Sequence, residues 1–452
     1  MRPRAWTVWA LRYGVPGVAI RATARRGDLI ARTVADPALR DDPFPAYEQL
    51  RGQGVLTGNR LVHATVDHRA ANAILRSDRF FAGPGLAPTP RLQKLLDRAI
   101  DPWALGPDDP PSLLAIEPPD HTRLRRLVSS AFTLRRVAGL ATRIEQIAHE
   151  LLADRPAGTP FDLVADYAAP LPVIVIAELL GVPSSMRAEF IEWGNLAATT
   201  LDPALTRREY AAADRALRTI HAWLGEHVQA LRRQPGDDLL SRLVHLADGG
   251  DALTDTELRA TAFLLLGAGF ETTVNLIGNA AVLLMQHQDQ LDRLLDGEVP
   301  WSSVVEETLR FDSPVQVTLR TARADTEVEG VPVAAGRSVV VMLGGANRDP
   351  AVFTDPQSFD VGRPNAREHL AFSAGIHYCL GAQLARSEGE IALRVLFEHA
   401  PDLRPAGPVR RRSTRVLRGY EHLPVVQPAS SASRRSRNRR STSLDVSTNA
   451  SS

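Results

Sequence analysis

The sequence predicts a mainly α fold with small β-sheets. Apolar residues recur at helical spacing in "RIEQIAHELLADR" (143–155) and "RALRTIHAWLGEHVQALRR" (215–233). A third run, "TDTELRATAFLLLGAGFETTVNLIGNAAVLLMQH" (254–287), is apolar almost all round, which predicts a buried helix. Strand-like patterns are few and short: "VLTGNRLVHATV", "TEVEGVPV", "RSVVVML" and "RVLRGYEHLPVV".

In chain order, residues 1–40 read as an N-terminal segment packed on the domain. Its stretch "AWTVWALRYGVPGVAI" (5–20) is broken by Arg12, Gly14 and Pro16 and falls short of the roughly 20 apolar residues a membrane span needs. It also lacks the cleavage site of a signal peptide. The expectation is a cytoplasmic chain with no transmembrane segment. Residues 41–427 read as a single domain. Proline and glycine clusters punctuate its helical front half. The span 82–120 is long and irregular, as binding or lid elements often are. Residues 428–452 are Ser- and Arg-rich, bury too little apolar surface to fold, and predict a disordered tail.

Charge excludes little but limits the partners. Formal net charge is +1, with +4 in the tail and −3 in the rest, so no strong field selects nucleic acid. Lys94 is the only lysine, which reflects codon usage rather than function. Cys379 is the only cysteine, which excludes an intramolecular disulfide and any CxxC zinc or redox site.

Three features carry chemistry. The first is "FSAGIHYCLGAQLAR" (372–386). Gly375 and Gly381 bracket Cys379, so the backbone can approach something bulky, and an apolar stripe at helical spacing follows. A cysteine at a helix N-terminus has its thiolate favoured and suits a nucleophile or a metal ligand. A buried structural cysteine fits the same geometry. The second is "AGFETT" (268–273) inside the apolar run. Thr254 and Glu257 have capping-box spacing and mark that helix start. Glycine and adjacent threonines weaken a helix, and a buried carboxylate needs a partner. An acid, an alcohol and a glycine there would let the helix open and pass protons; a satisfied polar cluster between packed helices fits equally. The third is "SSVVEETLRFDSPV" (302–315). Ser303 and Glu306 have capping-box spacing, which puts Glu307 and Arg310 one turn apart.

Together and in this order, these features resemble the cytochrome P450 family of haem-thiolate monooxygenases. Phe372, Gly375, Cys379 and Gly381 fit its pattern F-x-x-G-x-x-x-C-x-G. "AGFETT" is similar to its central-helix motif and "EETLR" to its E-x-x-R motif. "PPDHTRLRRLVSSAF" resembles the helix that crosses the haem face, and "ANRDPAVFTDPQSFDVGRP" the segment leading to the cysteine loop. The resemblance runs from about Asp41 to about Val426 and leans to soluble actinobacterial members. Ser373, where many members have glycine, is the visible departure.

The resemblance implies haem b between the central helix and the cysteine-loop helix, with Cys379 as axial thiolate on the iron. His121, Arg125, Arg320 and His377 would hold the two propionates. Glu307, Arg310 and Arg363 would form a buried ion network under the cysteine loop, and Glu271 and Thr272 would be the acid–alcohol pair beside bound O2. The implied reaction inserts one oxygen atom of O2 into a C–H or C=C bond of a hydrophobic small molecule. No flavin or iron–sulfur segment is present, so electrons would come from separate chains, a ferredoxin and its reductase, with Arg123, Arg126 and Arg386 as contacts. The expected pocket wall is 82–120, 186–210, the central helix before Gly269, and 315–317. A monomer is expected. Two other readings stay open: a haem protein that senses ligands without turnover, and a peroxide-driven peroxygenase, which the acid–alcohol pair argues against.

Overall fold

A computed structural model describes residues 3–59, 62–83, 98–131, 134–245 and 253–429. The tail from 430 and the loop stretch 84–97 lie outside the described residues.

The fold is mainly helical and is organised around the helix Asp255–Gln286. Its start is fixed as the sequence predicts. Thr254 Oγ1 accepts from Glu257 N at 3.2 Å, and Thr254 N donates back to Glu257 Oε2 at 2.8 Å. The helices that pack on it include Pro170–Leu179, Arg187–Ala198, Arg207–Arg233, Trp301–Phe311 and Ala382–His399. Leu276, Ile277, Ala280 and Leu284 are fully enclosed. That explains an apolar sequence on every side. By length and composition this helix could cross a membrane, but it is mostly buried by its neighbours. The run at 143–155 is the end of a longer helix, Leu134–Leu152, whose Ile144 and Ile147 enter the same core.

A five-stranded sheet lies to one side. Its order is Thr57–Gly58, His63–Thr65, Ser338–Val341, Thr318–Ala322, Phe80–Ala82. Only the pair His63–Thr65 and Ser338–Val341 is parallel. The hairpin Thr326–Val328 with Val331–Val333 turns through Glu329 and Gly330, with φ of 47° and 81°. Positive φ at both central residues matches the twist of a two-residue hairpin, and glycine takes it without strain. Near the C-terminus, Arg410–Arg411 pairs with Tyr420–His422, and Pro424–Val426 lies between Phe161–Asp162 and Arg404–Pro405.

Two expectations need correction. Ser303 and Glu306 form no capping box. The helix already begins at Trp301 after Pro300, and the Ser303 hydroxyl donates to Pro300 O at 2.7 Å. Glu306 turns inward to charged partners, which outcompete a terminal amide. The strands Thr318–Ala322 and Phe80–Ala82 escape the sequence pattern. "TLRTA" buries Arg320, Thr321 and Ala322 in succession, so both faces are covered and the apolar alternation is absent.

Residues 3–25 form three consecutive helical pieces, Pro3–Trp9, Ala10–Gly14 and Val15–Arg25. They pack against Ala99, Leu205 and Tyr210 in a small core of their own.

Candidate active site

The loop before the helix Ala382–His399 is built backwards from its glycines. Gly375 has φ of +70°. A Cβ there would run into the Leu75 carbonyl oxygen and lie 3.0 Å from the Arg76 Cα, so two strands of backbone touch where only glycine fits. Ser373 takes a similar left-handed conformation, with φ of 61°, which accounts for the preference for glycine there. Cys379 N donates to Phe372 O at 2.9 Å and Tyr378 N to Gly375 O at 3.1 Å, closing the loop. Gly381 differs from Gly375. No described atom comes within 4 Å of a Cβ built on it, so it leaves open space beside the cysteine.

Cys379 is half-buried. Burial pushes its thiol above the usual range, while the Gly381 N–H, Arg125 and Arg386 pull the other way. The protein alone therefore keeps the sulfur protonated, and a metal ion bound to it would deprotonate it outright.

Around the thiol the structure gathers His121, Arg125, Arg320 and His377. The rings of His121 and His377 are 4.6 Å apart. Arg125 faces both His121 and Cys379, and Arg320 faces His377. The sheet register places Arg320 opposite Ala82, whose N–H donates to Glu117 Oε1 at 2.7 Å. His377 Nε2 shares that oxygen at 3.2 Å, and Arg323 donates to Glu117 Oε2 at 2.8 Å. Glu117 is the carboxylate facing the cluster, and sequence reasoning missed it, although it lies only four residues before His121, just ahead of the helix Asp120–Ala131.

All four basic groups are held below their ordinary values. Burial is the first cause for each, and His121 falls to about 4 with His377 and Arg125 beside it. His121 Nε2 is buried with no hydrogen-bond partner among the described residues. Such a cluster has spare donors and positive potential that one carboxylate does not satisfy. Two carboxylates arriving next to a thiol would satisfy it, as the propionates of haem do. With the open flank of Gly381, the residues present fit the group.

The E-x-x-R pair lies beneath. Arg310 binds Glu307 with two bonds of 2.8 and 2.7 Å, and Arg363 Nε reaches both carboxylate oxygens at 3.2 Å. Arg310 also donates to the carbonyls of Asn347, Pro356 and Ser358. Glu307 and Arg310 are fully buried. The neighbouring Glu306 accepts from His369 Nε2 at 3.1 Å and Arg386 Nε at 2.6 Å. Burial alone would push its pKa up, but these two partners outweigh it and bring Glu306 down to about 2. Arg386 also stacks over the Phe372 ring at 4.6 Å and donates to Tyr378, so it clamps the cysteine loop. His369 carries no motif that singles it out in the sequence, and Glu306 is marked there only as the capping-box partner of Ser303.

On the central helix Thr272 Oγ1 donates to Ala268 O at 2.9 Å, and Thr273 Oγ1 to Gly269 O at 3.3 Å. The helix runs through unbroken, with both threonine hydroxyls bonded to carbonyls one turn back. Glu271 is buried. Its Oε1 accepts from Arg412 at 3.2 Å, and its Oε2 has no partner among the described residues. Burial pushes Glu271 up to about 7, against Arg412 and with help from Asp202. Arg412 also donates to Asn195 at 3.2 Å and Asn275 at 3.1 Å. It comes from the C-terminal hairpin, far away in sequence, and only the fold reveals it.

Two of the arginines expected to meet a redox partner are engaged within the chain: Arg123 pairs with Glu257, and Arg386 with Glu306. Of the expected pocket wall, 84–97 falls outside the described residues, while Arg187–Ala198 packs on the central helix as the pocket requires.

A family model described as cytochrome P450 matches residues 97–296 and 301–399. A putative cytochrome P450 140 of Mycobacterium tuberculosis is 49% identical over 425 residues, 92% of this chain and 96% of that protein. The vitamin D(3) 25-hydroxylase of Pseudonocardia autotrophica is 39% identical over 397 residues, 86% of this chain and 95% of that protein. The ligand-free crystal structure of CYP164A2 from Mycobacterium smegmatis matches with a TM-score of 0.79 at 36% identity, covering 88% of this chain and 99% of that one.

Proposed function

The chain belongs to the cytochrome P450 family, and from that membership we propose that it inserts one oxygen atom of O2 into a C–H or C=C bond of a hydrophobic small molecule. It is a haem-dependent monooxygenase. The substrate class and the electron donors are the proposed part. A ferredoxin and its reductase, as separate chains, are the proposed donors. We take residues 41–427 as the catalytic domain of a cytoplasmic monomer, with 1–40 packed on it and 428–452 as a tail.

The observation that carries the reading is one juxtaposition. The Cys379 thiol shares its electrostatic surroundings with Arg125, and Arg125 belongs to a basic cluster faced by a single carboxylate, Glu117. Cys379 would hold the iron, while His121, Arg125, Arg320 and His377 would hold the propionates. Haem supplies the electron transfer and O2 activation, with the thiolate donating electron density that favours O–O cleavage. The chain's own part is orientation and protons. Glu271, near pKa 7, can hold or release a proton at its carboxyl at working pH. The Thr272 hydroxyl, next along the helix, can leave the Ala268 carbonyl and position that proton. Ala268, exposed one turn before Thr272, and the half-buried Leu265, one turn earlier, give that side of the central helix an apolar surface that suits a substrate with few polar handles.

The test is the absorption spectrum of the reduced protein exposed to CO. A Soret band at the red-shifted thiolate position is expected, and Cys379→Ser should abolish it. No haem, or a band at the histidine-ligated position in the intact protein, would overturn the assignment. Turnover with ferredoxin and reductase then separates a monooxygenase from a ligand sensor, and turnover with peroxide alone would identify a peroxygenase.

A further inference from the structure

The helices at 3–25 present two contrasting sides. The inner side is tied to the body. Trp9 Nε1 donates to Leu205 O at 3.0 Å, the Tyr13 hydroxyl to Thr200 O at 2.9 Å, and Arg12 pairs with Asp109 at 2.7 Å. Gly17 packs close to Ala204. Thr200, Ala204 and Leu205 lie in the link between Arg187–Ala198 and Arg207–Arg233, and Asp109 belongs to the long 82–120 span. The N-terminal helices are therefore strapped to the proposed rim of the pocket.

The outer side is apolar and basic. Trp6, Val15 and Val18 are 52%, 67% and 62% exposed. Along the helix Val15–Arg25, the exposed residues Val15, Val18, Ala22 and Arg25 follow one another at spacings of three, four and three, which is one stripe. Arg4, Arg21 and Arg26 are exposed as well. No Asp or Glu precedes Asp28 in the sequence.

We propose that this outer face docks the protein on an anionic lipid surface, peripherally, next to the rim of its substrate pocket. Exposed tryptophan and valine beside arginine suit the interface between headgroups and acyl chains, where the apolar body enters and the cation meets phosphate. A second copy of the chain is a poor occupant. A two-fold contact on this face would set its arginines against one another with no carboxylate between them. The helix is too short and too broken to span a bilayer, so the contact is reversible. This inference goes beyond the oxygenase reading and does not depend on it.

The experiment uses the haem-loaded full chain, sedimented with vesicles of phosphatidylcholine alone or mixed with phosphatidylglycerol. Binding is expected only with phosphatidylglycerol and should weaken at high salt. The triple variant Trp6→Ser, Val15→Ser, Val18→Ser should lose affinity at least about tenfold. The variant Arg21→Gln, Arg25→Gln, Arg26→Gln should lose on the order of a hundredfold, because each basic residue near an anionic surface contributes roughly fivefold. Both variants should keep the CO spectrum of the parent, which separates lost docking from lost fold. Three results would overturn the proposal: no binding by the parent, binding that survives both variants and so belongs to the Arg434–Arg440 tail, or self-association that the same substitutions abolish.

Discussion

Replacing Ser373 with glycine should stabilise the protein, although it deletes a side chain beside the thiol loop. Ser373 sits at φ of 61°, in the left-handed region. A residue with a Cβ is strained there by about 1–2 kcal/mol. Its Oγ is buried and lacks a partner among the described residues, and such a group costs about 1–3 kcal/mol. Glycine gives back about 0.5–1 kcal/mol through the freedom of its unfolded chain. The Ser373 N–H donates to Leu370 O at 2.8 Å, a bond that any residue keeps. The net expectation is a gain of about 1–4.5 kcal/mol. Ser373→Ala separates the causes, because it removes the hydroxyl and retains the Cβ. Urea unfolding of the haem-loaded protein, followed by Soret absorption and tryptophan fluorescence, measures all three. The order should be glycine, then alanine, then serine. A glycine variant no more stable than the parent would refute the reasoning, and one equal to alanine would limit the Cβ strain to the roughly 0.5–1 kcal/mol that glycine gives back.

Other outcomes follow from the same geometry. Glu307→Gln leaves Arg310 and Arg363 without their buried charge partner and should cost about 3–5 kcal/mol, seen as haem loss and a lower urea midpoint. Arg310→Lys should not rescue the network, because one ammonium cannot replace a two-bond fork that also meets three carbonyls. Thr272→Ala should divert electrons into peroxide, measured as peroxide released per electron pair consumed; full coupling would remove Thr272 from proton delivery. Glu271 predicts a pH signature. Its folded pKa, about 7, lies above the ordinary carboxyl value of 4.5, so the folded state holds the extra proton between them. Stability should therefore fall as pH rises through that window, by about 3 kcal/mol in all, and Glu271→Gln should flatten the slope. A slope unchanged in that variant would assign it to other groups.

Much of this molecule was legible because its signals are local. The capping pair Thr254 and Glu257 lies three residues apart and forms as read. Cys379, Gly375 and Phe372 lie within one loop, so spacing fixes their geometry. The same spacing misled at Ser303, because a capping box is decided by competition, and Glu306 had His369 and Arg386 within reach. Arg412 was not legible at all. It meets Glu271 across 141 positions of sequence, and nothing local distinguishes it from Arg410 or Arg411. Arg320 was assigned by resemblance, but its strand was missed, since burying an arginine destroys the alternation that announces a strand.

The buried acids also show why burial alone does not assign a role. Glu306 and Glu271 are both about 1–3% exposed, yet one is held near 2 and the other near 7. The difference is the number and geometry of cationic partners. Glu306 receives His369 and two nitrogens of Arg386, so its charge is fixed through the whole working range. Glu271 receives one nitrogen of Arg412, whose remaining capacity is divided between Asn195 and Asn275, and one of its oxygens stays without a partner. A single shared cation does not offset the loss of solvent. Of the two, only Glu271 can change protonation near neutral pH, which the proposed proton-delivery role requires.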